Sequence, residues 1–125
     1  MNLILLSYVG SLLVFGWGAA HLFPTRAVVR GFGEISPDNR RIVAMEWIIE
    51  GVALIFIGIL VGLVTYLDHS SPVSRAVYWL SFTMLNVLSL VSLFTGFRNA
   101  LLVFKLCPFI FTGSSLLIAI GTFPG

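Results

Sequence analysis

From Gly51 to Leu67 no acidic or basic side chain interrupts the chain, and two carboxylates, Glu46 and Glu50, stand four residues apart just ahead of that run. At a rise of about 1.5 Å per residue, the run and the turn before it span roughly the 30 Å hydrocarbon core of a bilayer. A segment of this kind must satisfy its own backbone hydrogen bonds, so it is expected as a transmembrane helix with acid near one end. The same pattern recurs along the chain, which predicts four helices over about 2–22, 37–67, 73–95 and 101–121. The fold class is therefore an all-α polytopic membrane protein, residues 1–125 forming a single transmembrane domain. Short links favour an antiparallel bundle.

Composition agrees with that reading. Hydrophobic residues make up 58% of the chain and charged residues 10%, against about 25% charged in an ordinary soluble domain. Mean hydropathy is +1.06. Seven Lys/Arg against five Asp/Glu require no nucleic-acid partner, because basic membrane proteins hold their excess Lys/Arg in cytoplasmic loops. The single cysteine, Cys107, excludes an intrachain disulfide and reads as a small buried hydrophobe.

The links carry local signals. Gly18-Ala19-Ala20 would suit a signal-peptide cleavage site, but Met1-Asn2-Leu3 supplies no basic region ahead of the apolar run, so the first segment is expected to stay as a helix. Ser7, Gly10, Val14, Trp17 and His21 fall on one stripe of that helix, a packing face that ends in an aromatic and an imidazole. In the long first connection, Arg26 and Arg30 are spaced i, i+4, which predicts a short helix in the headgroup region broken by Gly31 and Gly33. Ser36-Pro37-Asp38 and Ser71-Pro72 both read as helix starts, a capping hydroxyl followed by proline at the first helical position. Ser81, Thr83, Asn86, Ser89, Ser92 and Thr95 form a polar seam on the third span, which ends toward Arg98. Pro108 is expected inside the fourth.

The first and third connections, counting Lys105, hold six of the seven basic residues. The positive-inside rule then puts both connections in the cytoplasm and both termini outside, in a prokaryotic cytoplasmic membrane. This topology gathers Trp17, His21, Glu46, Trp47, Glu50 and Lys105 at the cytoplasmic side, with Asn86 deeper in the bundle. A charge in hydrocarbon costs about 2.5–3.5 kcal/mol on insertion scales, so Glu50 is expected to face a partner or a polar pocket, with Lys105 the first candidate and His21 the next. Each residue also has a plainer role. Glu46 can be interfacial, Lys105 can snorkel to the headgroups, His21 and Trp17 can belong to an aromatic belt, and Asn86 can bridge two helices. Gly58 and Gly62 make a GxxxG match with Gly51 on the same face, about 100° from Glu50, so one helix can use glycine for packing and glutamate for the interior. Two histidines on opposite sides and one cysteine compose no metal site, and no cofactor is required by the residues.

Gly16-Trp17-Gly18-Ala19-Ala20-His21-Leu22-Phe23-Pro24 closes the first helix, and Glu50-Gly51-Val52-Ala53-Leu54-Ile55-Phe56-Ile57-Gly58 opens the apolar part of the second. In these two motifs the chain resembles the DoxX-like group of small four-helix membrane proteins. The resemblance implies an accessory role beside quinone-linked oxidoreductases or other membrane complexes, and it carries over no catalytic residue.

The first functional expectation is thus a non-enzymatic integral membrane accessory protein. It would bind a lipidic molecule such as a quinone, or a partner subunit, through the cytoplasmic-side pocket. The second is a proton-coupled transporter working as a homodimer through the glycine face. The third is a membrane isomerase using His21 and Glu50 as acid and base.

Overall fold

The computed structural model describes residues 2–96 and 102–123, except the side chains at 102 and 103. Arg98 and Leu101 lie outside the described residues. Five helices are described: α1 (Ile4–Leu22), α2 (Thr25–Gly31), α3 (Pro37–Asp68), α4 (Pro72–Thr95) and α5 (Leu102–Thr122). All but α2 are long and apolar enough to cross a membrane. The chain is a helical integral membrane protein.

The helix ends follow from local chemistry. Ser36 Oγ accepts from the Asn39 N–H at 3.1 Å with Pro37 behind it, and Ser71 Oγ accepts from the Ser74 N–H at 3.1 Å with Pro72 behind it. Each cap satisfies one of the amides that a helix start leaves without a partner. The short helix expected around Arg26 and Arg30 forms as α2. Gly33, at φ +74°, turns the chain out of it, a conformation costly for a residue with a Cβ. Pro108 lies within α5.

Packing runs in the order α3, α1, α5, α4, and α3 touches α4 over a smaller area. The paired positions descend on one helix as they rise on the other, so the neighbours are antiparallel: Gly18 beside Gly51 and Ser11 beside Gly58 for α1 and α3, Gly10 beside Ile118 and Ser7 beside Gly121 for α1 and α5. Glycine makes the α1–α3 approach close. A methyl at Gly58 would come within 2.7 Å of the Ser11 carbonyl oxygen, and one at Gly18 within 2.7 Å of the Gly51 carbonyl oxygen. Gly51 and Gly58 are therefore buried against α1 of the same chain, with the half-buried Gly62 beside Ser11.

The interior is unusually rich in hydroxyls. Ser7, Ser11, Thr65, Ser74, Ser81, Ser89, Ser114 and Ser115 are buried beside Val14, Leu54, Val61, Tyr78, Leu85, Phe111 and Ile118, while Leu12, Phe56, Leu80, Phe94 and Phe109 point outward. Such an arrangement suits lipid as solvent, where small polar side chains let helices approach and bond one another. Ser89 donates to the Pro108 carbonyl at 3.0 Å and lies 2.6 Å from Thr112 Oγ1, tying α4 to α5. Thr65 Oγ1 and Tyr78 Oη meet at 2.9 Å and tie α3 to α4 beside their turn. Tyr78→Phe should cost about 0.5–1.5 kcal/mol, the range of interhelical hydrogen bonds in membranes. Unfolding in mixed micelles tests this, and an unchanged midpoint would show that the bond carries no weight.

Candidate functional site

The contacts between α3 and α4 explain where a site can form. Ser74 Oγ reaches the Asp68 carbonyl at 2.5 Å, and with the Thr65–Tyr78 bond it pins the two helices at the turn end. Toward the opposite end a cleft of about 620 Å³ opens between them. Its lining comes from Ile42, Val43, Glu46, Trp47, Ile49 and Glu50 of α3, Leu88, Val91, Ser92 and Thr95 of α4, and Phe104 and Cys107 of α5, with His21, Val28 and Phe32 closing one end. The walls are mostly apolar, with a few polar groups: the form of a site that holds an apolar guest and orients it.

Trp47 organises the polar end. The final carbonyls of α1 lack partners within their own helix, and two of them are satisfied from outside. Trp47 Nε1 donates to the His21 carbonyl at 2.7 Å, and Thr25 Oγ1 donates to the Leu22 carbonyl at 2.6 Å. The Trp47 ring also stacks on the His21 imidazole, with centroids 3.7 Å apart and planes 17° from parallel. Phe104 meets Trp47 edge-on at 5.8 Å. One indole thus fixes the end of α1, the plane of the imidazole and one wall of the cleft.

His21 Nε2 lies 3.5 Å from Glu50 Oε2. This is ion-pair distance but long for a hydrogen bond, and His21 Nε2 makes no hydrogen bond among the described residues. His21 is buried, whereas the Glu50 side chain is 45% accessible. The pair therefore joins the packed interior to the open cleft, with Glu50 able to accept a hydrogen bond from a guest. It is also the meeting point of the motif that closes α1 and the motif that opens the apolar part of α3.

The other residues singled out from sequence fall in different places. Glu46 shares the cleft wall with Trp47 and Glu50. Lys105 is half-buried on α5, outside the lining, and makes no ion pair within 4 Å among the described residues, so the Glu50–Lys105 pairing ranked first from sequence gives way to Glu50–His21. α5 reaches α3 at this level through Phe104, which meets Trp47, and Cys107, which shares the cleft lining, whereas Lys105 falls outside that lining. Trp17 is half-buried against the core beside the Cys107 thiol, also outside the lining. Asn86 Nδ2 donates to the Phe82 carbonyl at 2.8 Å and to Ser115 Oγ at 3.1 Å, bridging α4 to α5 away from the cleft. Gly51, Gly58 and Gly62 lie against α1. Among the described residues no group of three His, Cys, Asp or Glu side chains can hold a metal ion.

Sequence reasoning missed Phe104, Val28 and Phe32 as wall residues and treated Cys107 only as core. Ser92 and Thr95 were visible in the polar seam, whose last turns face the cleft. No family model, curated protein or solved structure matches this chain.

Proposed function

We propose that the protein is a membrane accessory protein that binds a lipid-soluble molecule with a polar ring or head, of quinone-like character, in the cleft between α3 and α4. The observation that carries this reading is the union of an apolar cleft of about 620 Å³ with a polar pole made by His21, Glu46 and Glu50. A flat ring fits beside the Trp47–Phe104 wall, a ring hydroxyl, as in the reduced quinol form, can donate to the Glu50 carboxylate, and an alkyl tail fits along Leu88 and Val91. The excess of Lys/Arg in the first and third connections supports a cytoplasmic position for this pole and outer positions for both termini. The accessory role accords with the DoxX-like resemblance of the two motifs that meet at the pair. A partner subunit whose own apolar side chain enters the cleft is the form the same reading takes if the site serves a complex.

The acid–base reading is supported by one observation, the contact of His21 with Glu50 at the edge of a substrate-sized cleft. In an isomerase, Glu50 would take a proton from one substrate carbon and the Glu50–His21 pair would return a proton to another, acting as base and then as acid.

Glu50→Gln separates these possibilities. Purified in mild detergent and extracted with organic solvent, the wild-type protein should yield a bound lipid-soluble molecule. The variant should yield at least about ten-fold less, the effect of losing one charge-assisted hydrogen bond, at unchanged helicity. Equal retention by both proteins would sink the site as drawn. Turnover of an added substrate by the wild type, lost in the variant, would replace the accessory reading by the enzymatic one.

A further inference from the structure

A second concave site lies on the other side of the α2–α3 contact, and its chemistry is different. Arg26 and Arg30 on α2 and Arg40 and Arg41 on the first turns of α3 line a cleft of about 320 Å³ floored by Val29 and Ala44. The sequence builds this directly. The i, i+4 spacing puts Arg26 and Arg30 on one face of α2, Gly33 reverses the chain, and the Ser36 cap starts α3 so that its next basic pair meets the first.

Four guanidinium groups around one hollow repel unless an anion joins them. Asp38 engages Arg41 at 3.2 Å, but both side chains are at least 80% accessible, so the contact is loose. Arg26, Arg30 and Arg40 have no acidic partner within 4 Å among the described residues; neither Glu34 nor Glu46 pairs with them, and Glu46 lines the other cleft. Planar guanidinium forks match phosphate oxygens in pairs, which a point charge does not.

The level of the site says where the phosphate comes from. α2 follows directly on the end of the α1 span. Arg40 and Arg41 precede the turn before Gly51, where the roughly 30 Å apolar span begins, by about 8–10 Å of helix, close to headgroup depth. Phe23 and Phe32, at either end of α2, are 89% and 56% exposed, as expected of a short helix laid on a membrane surface with its aromatics in the interface. The floor of Val29 and Ala44 suits the glycerol and upper acyl carbons beneath a phosphate.

We propose that this arginine cleft binds the phosphate of an anionic phospholipid headgroup, anchoring α2 and the start of α3 to the membrane surface. This site stands apart from the ligand reading of the larger cleft, because none of its lining residues lines that cleft.

The full-length protein in mild detergent is mixed with equal amounts of phosphatidylglycerol and phosphatidylcholine of the same acyl chains, and the bound lipid is counted by native mass spectrometry. Phosphatidylglycerol should be retained in preference to phosphatidylcholine, and Arg30→Gln with Arg40→Gln should cut that retention at least about ten-fold. Arg75→Gln removes one charge elsewhere and should leave it unchanged. Arg30→Lys with Arg40→Lys, at the same helicity, should keep more lipid than the glutamine pair. Excess inorganic phosphate should not displace the lipid. Equal retention of the two lipids, or an equal fall in the Arg75 variant and the glutamine pair, would overturn the site as diffuse charge attraction. Displacement by inorganic phosphate would overturn the lipid assignment in favour of a soluble phosphate.

Discussion

Gly58→Ala is expected to destabilise the protein by about 1–3 kcal/mol, although alanine is the better helix former by about 1 kcal/mol. The added methyl would meet the Ser11 carbonyl oxygen at 2.7 Å and the Phe15 amide nitrogen at 2.8 Å. Both are backbone atoms, so no rotamer change relieves the clash and α1 must move away from α3. Gly18→Ala presses on the Gly51 carbonyl and the Ile55 amide at 2.7 and 2.8 Å and should behave alike. Gly16 supplies the control. Beyond its own stretch of helix backbone nothing lies within 4 Å of a methyl there, so Gly16→Ala should be neutral or stabilising. Reversible unfolding in detergent, followed by helicity, measures all three, and a Gly58→Ala protein as stable as Gly16→Ala would mean that α1 and α3 do not pack as described.

Trp47→Ala should have the second large effect, about 2–4 kcal/mol, somewhat below the range for a fully buried aromatic because Trp47 is half-buried. Three contacts go at once: the bond to the His21 carbonyl, the stack on the imidazole and the edge contact with Phe104. Trp47→Phe divides them. It keeps an aromatic face but has no N–H, so about 1 kcal/mol should be lost through the unpaired carbonyl. The alanine variant should also lose retention of whatever molecule co-purifies with the wild type, because the wall and the plane of His21 go with the ring. A melting midpoint within one degree of wild type would remove Trp47 from its organising place.

The spans and their starts were legible because their causes are local. Ser36-Pro37 and Ser71-Pro72 act within a single turn, and the run from Gly51 to Leu67 has no other way to fold in lipid. The small-residue stripe of α1 was equally plain, since Ser7, Gly10, Val14 and His21 are all buried. Neighbour choice was not legible. The glycines on α3 read the same whether they meet α1 or another copy, and only the complementary small residues Ser11 and Gly18 on α1 settle it. Glu50 found His21 instead of Lys105 because depth in a membrane can be read from helix register, while position around the bundle depends on which helices adjoin. The larger cleft was hidden for a related reason: a short turn implies that α3 and α4 are neighbours, but not that they part company beyond Thr65 and Tyr78.

That parting has a consequence for how affinity should be measured. Ile49 and Val91, on opposite walls of the cleft, are each 53% exposed, an apolar flank that suits entry of the proposed guest from the bilayer. A hydrophobic molecule dissolved in the membrane is already concentrated there by partitioning, and it arrives with most of its desolvation cost met. A site reached this way can be largely filled while binding its guest only weakly relative to lipid. Occupancy should then follow the mole fraction of guest in the membrane, and dilution with buffer at fixed lipid composition should leave it unchanged.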